Sequence, residues 1–278
     1  MSHQQAPDRY AVMGNPIAHS KSPFIHNEFA RQSGQKLVYT AELVALGELP
    51  QAVAAFQSSN GKGLNITVPF KQDAFQLAHE LSPRAERAGA VNTLVLRGEK
   101  NYFGDTTDGA GLLNDLLHNQ IKLARQHILL LGAGGAVRGV IEPLLQQNPA
   151  RLVIANRTAS KAVQLATDFA DLGTTHGCGF DDLSGDKFDL VINGTSASLQ
   201  GELPPLPDKL LARESVVYDM MYGVGATPFM AWGATQGAKT LDGLGMLVEQ
   251  AAESFFIWRG VRPQTRSVID LVRASLKT

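Results

Sequence analysis

Gly132, Gly134 and Gly135 follow one apolar run, residues 128–131, and open a helical pattern that leads to a second run, residues 152–155. Strand, tight turn, helix and strand make one dinucleotide-binding unit. Glycines let backbone approach a pyrophosphate, and the helix start beyond them offers free N–H groups at a positive dipole end. The pattern G-x-G-x-x-G/A asks for a small residue at position 137, where this chain has Val137; its small residues are Gly135 and Ala136. The residues just past the second run select the dinucleotide. A carboxylate there would accept from a ribose 2′-OH and mark NAD. This chain has Asn156, Arg157 and Thr158, then Lys161. Two cations and a hydroxyl suit a 2′-phosphate, which a guanidinium grips bidentately. The expected cofactor is NADP and the expected chemistry is hydride transfer. The plainer account is a tight turn and a solvated helix start; the flanking strands and helix argue against it.

Earlier in the chain, three polar clusters follow strand-like runs: Ser20 and Ser22; Asn65, Thr67 and Lys71; Asn92 with residues 105–108. Buried polar groups need partners, and a small polyhydroxylated substrate supplies several at once. Lys71 stands at a strand end, where sites in α/β sheets form. Singly, each cluster has a bland explanation. Ser22 before Pro23 reads as a helix N-cap, Asn92 and Thr93 as a strand end, Lys71 as a surface lysine. Their recurrence beside turns, in a chain with a hydride-cofactor motif, favours a site.

These residues must be held by elements. The 278 residues are long for one domain and comfortable for two. Hydrophobic content of 44% with 18% charged residues reads as globular. A net charge of −1 supplies no basic field for nucleic acid or membrane. The single cysteine, Cys178, excludes an internal disulfide and a Cys-rich metal site, and the scattered histidines point to no metal. No apolar run approaches the ~20 residues of a membrane span, and the first ten residues lack a signal pattern. A cytoplasmic protein is expected, monomer or homodimer.

Apolar runs predict strands at 10–13, from 37, at 64–68, 90–96 and 101–104, then at 128–131, 152–155, 189–193, 216–219 and near 240. Helical patterns predict helices from Pro23 to Gly34, over 49–58 and 73–81, near 85–89, and around Leu112, Leu113, Leu116 and Leu117. The glycines of 61–63 read as a break, and 105–109 as a turn. Pro143 should kink the helix after the glycine turn. Two last helices, 244–258 and 267–276, have no strand to cross to and are expected to pack back on the first domain.

GNPIAHSKSPFIHN, NITVPFK, AVNTL, GDTTDGAG, LGAGGAVRG, ANRTASK, DMMYG and DGLGMLVEQAAESF stand in this order between residues 10 and 258. In these eight motifs, spread over nearly the whole chain, the sequence resembles the shikimate dehydrogenase family. The resemblance implies an α/β fold of two domains: a substrate-binding catalytic domain, 1–110 with about 245–278, and a Rossmann-like NADP-binding domain, 111–244. It implies NADPH-dependent reduction of 3-dehydroshikimate to shikimate in aromatic amino acid biosynthesis. It makes Ser20 and Ser22 contacts to the substrate carboxylate. Thr67, Asn92, Tyr222 and Gln250 would contact the carboxylate end or ring hydroxyls. Lys71 and Asp108 become the catalytic pair, an ammonium stabilising the developing alkoxide and supplying a proton. Gly132, Ala133, Gly134, Gly135 and Ala136, then Asn156, Arg157, Thr158, Ala159, Ser160 and Lys161, with Met220 and Gly243, line the cofactor. Where the family usually has Asn before T-D-G, this chain has Thr106. Two other readings stand beside this one: a quinate/shikimate dehydrogenase with relaxed cofactor use, and a non-catalytic small-molecule sensor of the same fold. Retention of Lys71, Asp108 and the glycine turn counts against the sensor.

Overall fold

Short apolar runs alternating with helical patterns lay strands side by side and cover them with helices. The computed structural model of this chain describes residues 6–98, 101–195 and 197–277, and it builds two such sheets. The chain divides into two compact units. The first runs to Thr107 and takes back Val248–Ser275; the second begins at Asp108 and runs to Leu247.

The first unit contains β1 (Asp8–Gly14), α1 (Ser22–Ser33), β2 (Leu37–Leu43), α2 (Leu49–Ser58), β3 (Gly61–Ile66), α3 (Lys71–Leu77), β4 (Glu80–Leu81), α4 (Pro83–Ala88), β5 (Thr93–Arg97) and β6 (Asn101–Asp105). The sheet order is β2-β1-β3-β5-β6-β4. β1 is parallel to β2 and β3, whereas β5 is antiparallel to β3 and β6. Local chemistry sets several ends. Gly34, at φ 65°, stops α1. The Ser82 hydroxyl accepts from the Ala85 N–H and starts α4, with Pro83 in its first turn.

Four features differ from the sequence reading. β3 begins at Gly61, not at 64, so the glycines are strand residues. A Cβ on Gly61 would lie 2.1 Å from the Phe56 ring, and one on Gly63 2.5 Å from the Trp258 indole nitrogen. Glycine is there because rings press on the strand. The helix expected over 73–81 is split into α3 and β4, and β4 pairs with β6. Ser22 is the first residue of α1 rather than its cap; Lys21 precedes it and no side chain caps the helix. The segment 105–109 is not a separate turn, because β6 extends through Asp105 and α5 (Asp108–His118) begins three residues later.

The second unit continues with β7 (His127–Leu131), α6 (Gly135–Leu145), β8 (Arg151–Ala155), α7 (Ala159–Asp168), β9 (Thr175–Cys178), β10 (Phe188–Asn193), β11 (Leu211–Asp219), α8 (Pro228–Thr235) and β12 (Lys239–Asp242). α9 (Leu244–Arg259) starts here and ends in the first unit, followed there by α10 (Arg266–Ser275). All six strands are parallel, in the order β12-β11-β10-β7-β8-β9. Counting β7 as the first strand gives 3-2-1-4-5-6, the doubly wound dinucleotide order. Ile128 and Leu130 point into one core and Leu129 and Leu131 into another, all with no exposed surface. Two-sided burial is why this strand reads as an unbroken apolar run. Pro143 lies inside α6 and cannot donate to the carbonyl of Gly139. A Cβ on Gly109 of α5 would lie 2.3 Å from that oxygen and 2.6 Å from the Pro143 ring. Glycine at 109 thus lets α5 pack closely against the interrupted turn. No helix among the described residues is long and apolar enough to cross a membrane.

Candidate active site

The second unit holds the glycine turn. Chain order in its sheet reverses between β7 and β10, and ligands of such sheets bind outside the strand ends at that point. Gly132 follows β7 at φ 107°, a conformation that favours glycine. Its N–H donates to the Ala155 carbonyl over 2.8 Å, tying the turn to β8. Gly134 precedes α6 with extended backbone and no side-chain cap. A Cβ on Gly134 or Gly135 would meet nothing within 4 Å. Both backbones therefore face open space, and the helix start keeps N–H groups to offer an anion. A cavity of about 440 Å³ opens here, lined by Gly132, Ala133, Gly134, Asn156, Arg157, Gly194, Thr195 and the 200–205 segment. A second hollow of about 290 Å³ shares Ala133 and adds Arg138, Ser160, Lys161 and Gln164. The donor groups suit a dinucleotide: backbone N–H for pyrophosphate, a guanidinium and an ammonium for a further phosphate.

Gly135, Ala136, Thr158, Ala159, Met220, Tyr222 and Gly243 line neither space. Thr158 precedes α7, and its carbonyl accepts from the Asn156 amide over 3.0 Å. Met220 is wedged: a Cβ on Gly194 would lie 3.0 Å from its sulfur, and one on Gly243 2.1 Å from its carbonyl oxygen. Tyr222 is half-buried, and burial pushes its phenol above the ordinary value. Val137 is fully buried, with a methyl 2.4 Å from where a Cβ on Gly194 would stand. Asp108, buried, begins α5, where the helix dipole favours a carboxylate.

The first unit holds the polar half. The Asn92 amide N–H donates to the Thr107 hydroxyl over 3.0 Å and to Gln250 Oε1 over 3.4 Å, and Asn92 Oδ1 accepts from the Thr107 N–H over 3.0 Å. Ser254, four residues beyond Gln250 on α9, lies 2.8 Å from the Thr93 hydroxyl and accepts from the Asn65 amide over 3.0 Å. Tyr39 donates to Asn65 Oδ1 over 2.7 Å. This connected network docks α9 onto β3 and β5. Sequence reasoning does not single out Tyr39, Thr93 or Ser254 as site residues; the i, i+4 pairing of Gln250 with Ser254 is the one signal that could have found any of them. Ser20 accepts from the Ser22 N–H over 3.3 Å. Thr67 follows β3, and a Cβ on Gly14 would lie 2.4 Å from its methyl group. Lys71 begins α3, half-buried, its carbonyl accepting from the Val91 N–H over 3.0 Å. Asp105 is committed elsewhere. Its carboxylate takes Arg84 bidentately at 2.7 and 2.8 Å and accepts from Ser82.

Family models match in three stretches. The shikimate dehydrogenase substrate binding domain matches residues 12–94, the shikimate/quinate 5-dehydrogenase model residues 115–200, and the shikimate 5′-dehydrogenase C-terminal domain residues 243–273. The shikimate dehydrogenase (NADP(+)) of Cellvibrio japonicus is 57% identical over 97% of this chain and 98% of its own. The chain belongs to the shikimate dehydrogenase family. Among solved structures, an Ael1 enzyme from Pseudomonas putida is 47% identical with a TM-score of 0.89, covering 95% of this chain and 97% of its own. The shikimate 5-dehydrogenase of Thermus thermophilus, solved with NADP(H) and shikimate, is 31% identical with a TM-score of 0.87, covering 97% of this chain and 100% of its own. The shikimate dehydrogenase motifs divide between the units. Ser20, Ser22, Thr67, Lys71, Asn92 and Gln250 fall in the first; Asp108, the glycine turn, Asn156 to Lys161, Met220, Tyr222 and Gly243 fall in the second.

Proposed function

We propose that this protein catalyses the reversible, NADPH-dependent reduction of 3-dehydroshikimate to shikimate. The observation that carries the reading is the switch-point cavity, faced by the glycine turn and Arg157, in a chain 57% identical to an NADP-dependent shikimate dehydrogenase. Gly132 to Ala136 hold the pyrophosphate through backbone N–H groups; Arg157 and Lys161, with Thr158, hold the 2′-phosphate. When bound, NADPH supplies the hydride that reduces the ketone carbon. Lys71 donates a hydrogen bond to the ketone oxygen, stabilises the charge that develops there and gives up a proton to it. Asp108 is the second member of the catalytic pair, its carboxylate orienting that amine. Ser20 and Ser22 donate to the substrate carboxylate, and Thr67, Asn92, Tyr222 and Gln250 orient the ring through its carboxylate end and hydroxyls. Prior orientation of the ketone converts binding into rate.

The test is near-UV absorbance of reduced nicotinamide with purified protein. Shikimate plus NADP should turn over; quinate plus NAD should be much slower. Turnover with the second pair alone would make the protein a quinate enzyme. Ligand binding without turnover in either would refute catalysis.

A further inference from the structure

The last residue of β11, Asp219, has no exposed surface, and none of the proposed substrate or cofactor contacts uses it. Burying a carboxylate is costly unless its oxygens are satisfied. Four donors among the described residues satisfy this one, all of them neutral. Oδ1 accepts from the Asn193 side-chain amide and from the Met221 N–H, each over 3.1 Å. Oδ2 accepts from the Ser198 and Thr227 hydroxyls, each over 2.6 Å. That fills the acceptor capacity of a carboxylate.

The donors come from three separate pieces of chain; one of them carries the proposed contacts Met220 and Tyr222, and another lines the cavity. Asn193 ends β10 directly opposite Asp219. Its Oδ1 accepts from the N–H and the hydroxyl of Thr195, over 3.1 and 2.7 Å. Asn193 and Ser198 therefore pin both ends of the loop that lines the cavity with Gly194, Thr195 and Ala197. Met221 fixes the turn bearing Met220 and Tyr222. Thr227 starts α8, its hydroxyl also accepting from the Met230 N–H over 3.2 Å. An apolar residue could fill the same volume but could not hold three segments in register.

We infer that Asp219 is a positioning residue: its buried carboxylate ties Asn193 and Ser198 to the 220–222 turn and so shapes the wall of the dinucleotide cavity. The inference rests on the proposed NADP-dependent reaction. A merely structural aspartate would leave both cofactor affinity and substrate affinity alone.

The experiment compares wild type with Asp219→Asn, Ser198→Ala and Thr227→Val. Affinity for NADPH is read by titrating nicotinamide fluorescence, and KM for shikimate at saturating NADP. Each protein is measured at a temperature where circular dichroism shows it folded. Asp219→Asn should weaken NADPH about tenfold or more, the cost of a hydrogen bond to a charged group, with a smaller rise in the shikimate KM through the turn that bears Tyr222. Ser198→Ala and Thr227→Val each remove one donor and should move the NADPH affinity in the same direction by a smaller factor; they decide the matter if Asp219→Asn does not fold. NADPH affinity unchanged in every folded variant, with only a lower melting temperature, would overturn the inference. A wild-type protein that neither binds NADPH nor turns over would instead refute the functional reading beneath it.

Discussion

His26 of α1 has no exposed surface, and its stability consequence can be worked out in numbers. Its ring stacks on Tyr39, centroids 4.1 Å apart and planes 5° from parallel. Trp258 lies 5.3 Å away and Phe29 meets it edge-on at 5.9 Å. Neither ring nitrogen has a hydrogen-bond partner among the described residues. Burial pushes the imidazole down to about 3 from an ordinary 6.5. The folded protein thus keeps His26 neutral, while the unfolded chain takes up a proton below pH ~6.5. Stability from this residue is complete above pH ~6.5 and is lost as pH falls toward 3. At pH 5 the unfolded state has gained about 1.5 pH units of protonation, or about 2 kcal/mol at ~1.4 kcal/mol per unit.

The assay is urea unfolding at pH 7.5, 6 and 5 for wild type and His26→Phe, which keeps a flat ring on Tyr39. Two units need not unfold together. Both proteins should therefore carry Trp232→Phe, so that Trp258, in the same unit as His26, is the fluorescent reporter. Carboxylates titrate in both proteins and cancel in the comparison. Between pH 7.5 and 5 the histidine protein should lose about 2 kcal/mol more than the phenylalanine variant. Equal losses would mean that His26 accepts a proton while folded, and the burial argument would fail.

The site and the packing give three further expected outcomes. Lys71→Ala should lower kcat by about 10²–10⁴-fold, the usual worth of a placed acid or base, with a modest change in shikimate KM; a rise in KM alone would make Lys71 a binding residue. Arg157→Ala should raise KM for NADP about tenfold or more and leave NAD nearly unaffected, since a charged phosphate contact is lost; an unchanged preference between the two would remove Arg157 from the 2′-phosphate site. Gly63→Ala places a Cβ 2.5 Å from the Trp258 indole nitrogen, whose N–H donates to the Leu94 carbonyl over 3.0 Å. It should cost about 1–3 kcal/mol by overpacking, read as a lower melting temperature; a neutral effect would show that the indole moves freely.

Legibility followed the range of the forces. Residues 128–131 and 152–155 could be read as strands because burial on both faces leaves no polar residue to interrupt them. β9 could not: Thr175–Cys178 has Gly177 at its centre, where a Cβ would sit 2.3 Å from the Ala162 carbonyl, and only Cys178 is buried. Gly61 and Gly63 mimicked a turn because the rings that demand glycine lie on other elements, Trp258 almost two hundred residues away. The link from Asn65 to Ser254 spans 189 residues and has no local pattern at all. Asp105 and Asp219 show the same limit from the other side. Each is a polar residue at a strand end, but one is spent on Arg84 and Ser82 and the other on four neutral donors. Only folded neighbours reveal that both carboxylates are spent within the protein.

Val137 makes the same point beside the glycine turn. In a dinucleotide turn the third small residue lets the helix come close to the sheet. Here that position carries a buried valine, yet the helix still closes on the sheet. The missing space is provided across the switch point. Gly194, just past β10, has no Cβ, and the Val137 methyl lies only 2.4 Å from where one would stand. The Gly194 N–H also donates to the Leu131 carbonyl over 2.9 Å, holding that backbone against the end of β7. Close approach is therefore a property of α6 together with two adjacent strands. A motif read along one strand and its helix sees half of it. The chain departs from the pattern at Val137 without departing from its physics, because the small residue has moved to the neighbouring strand.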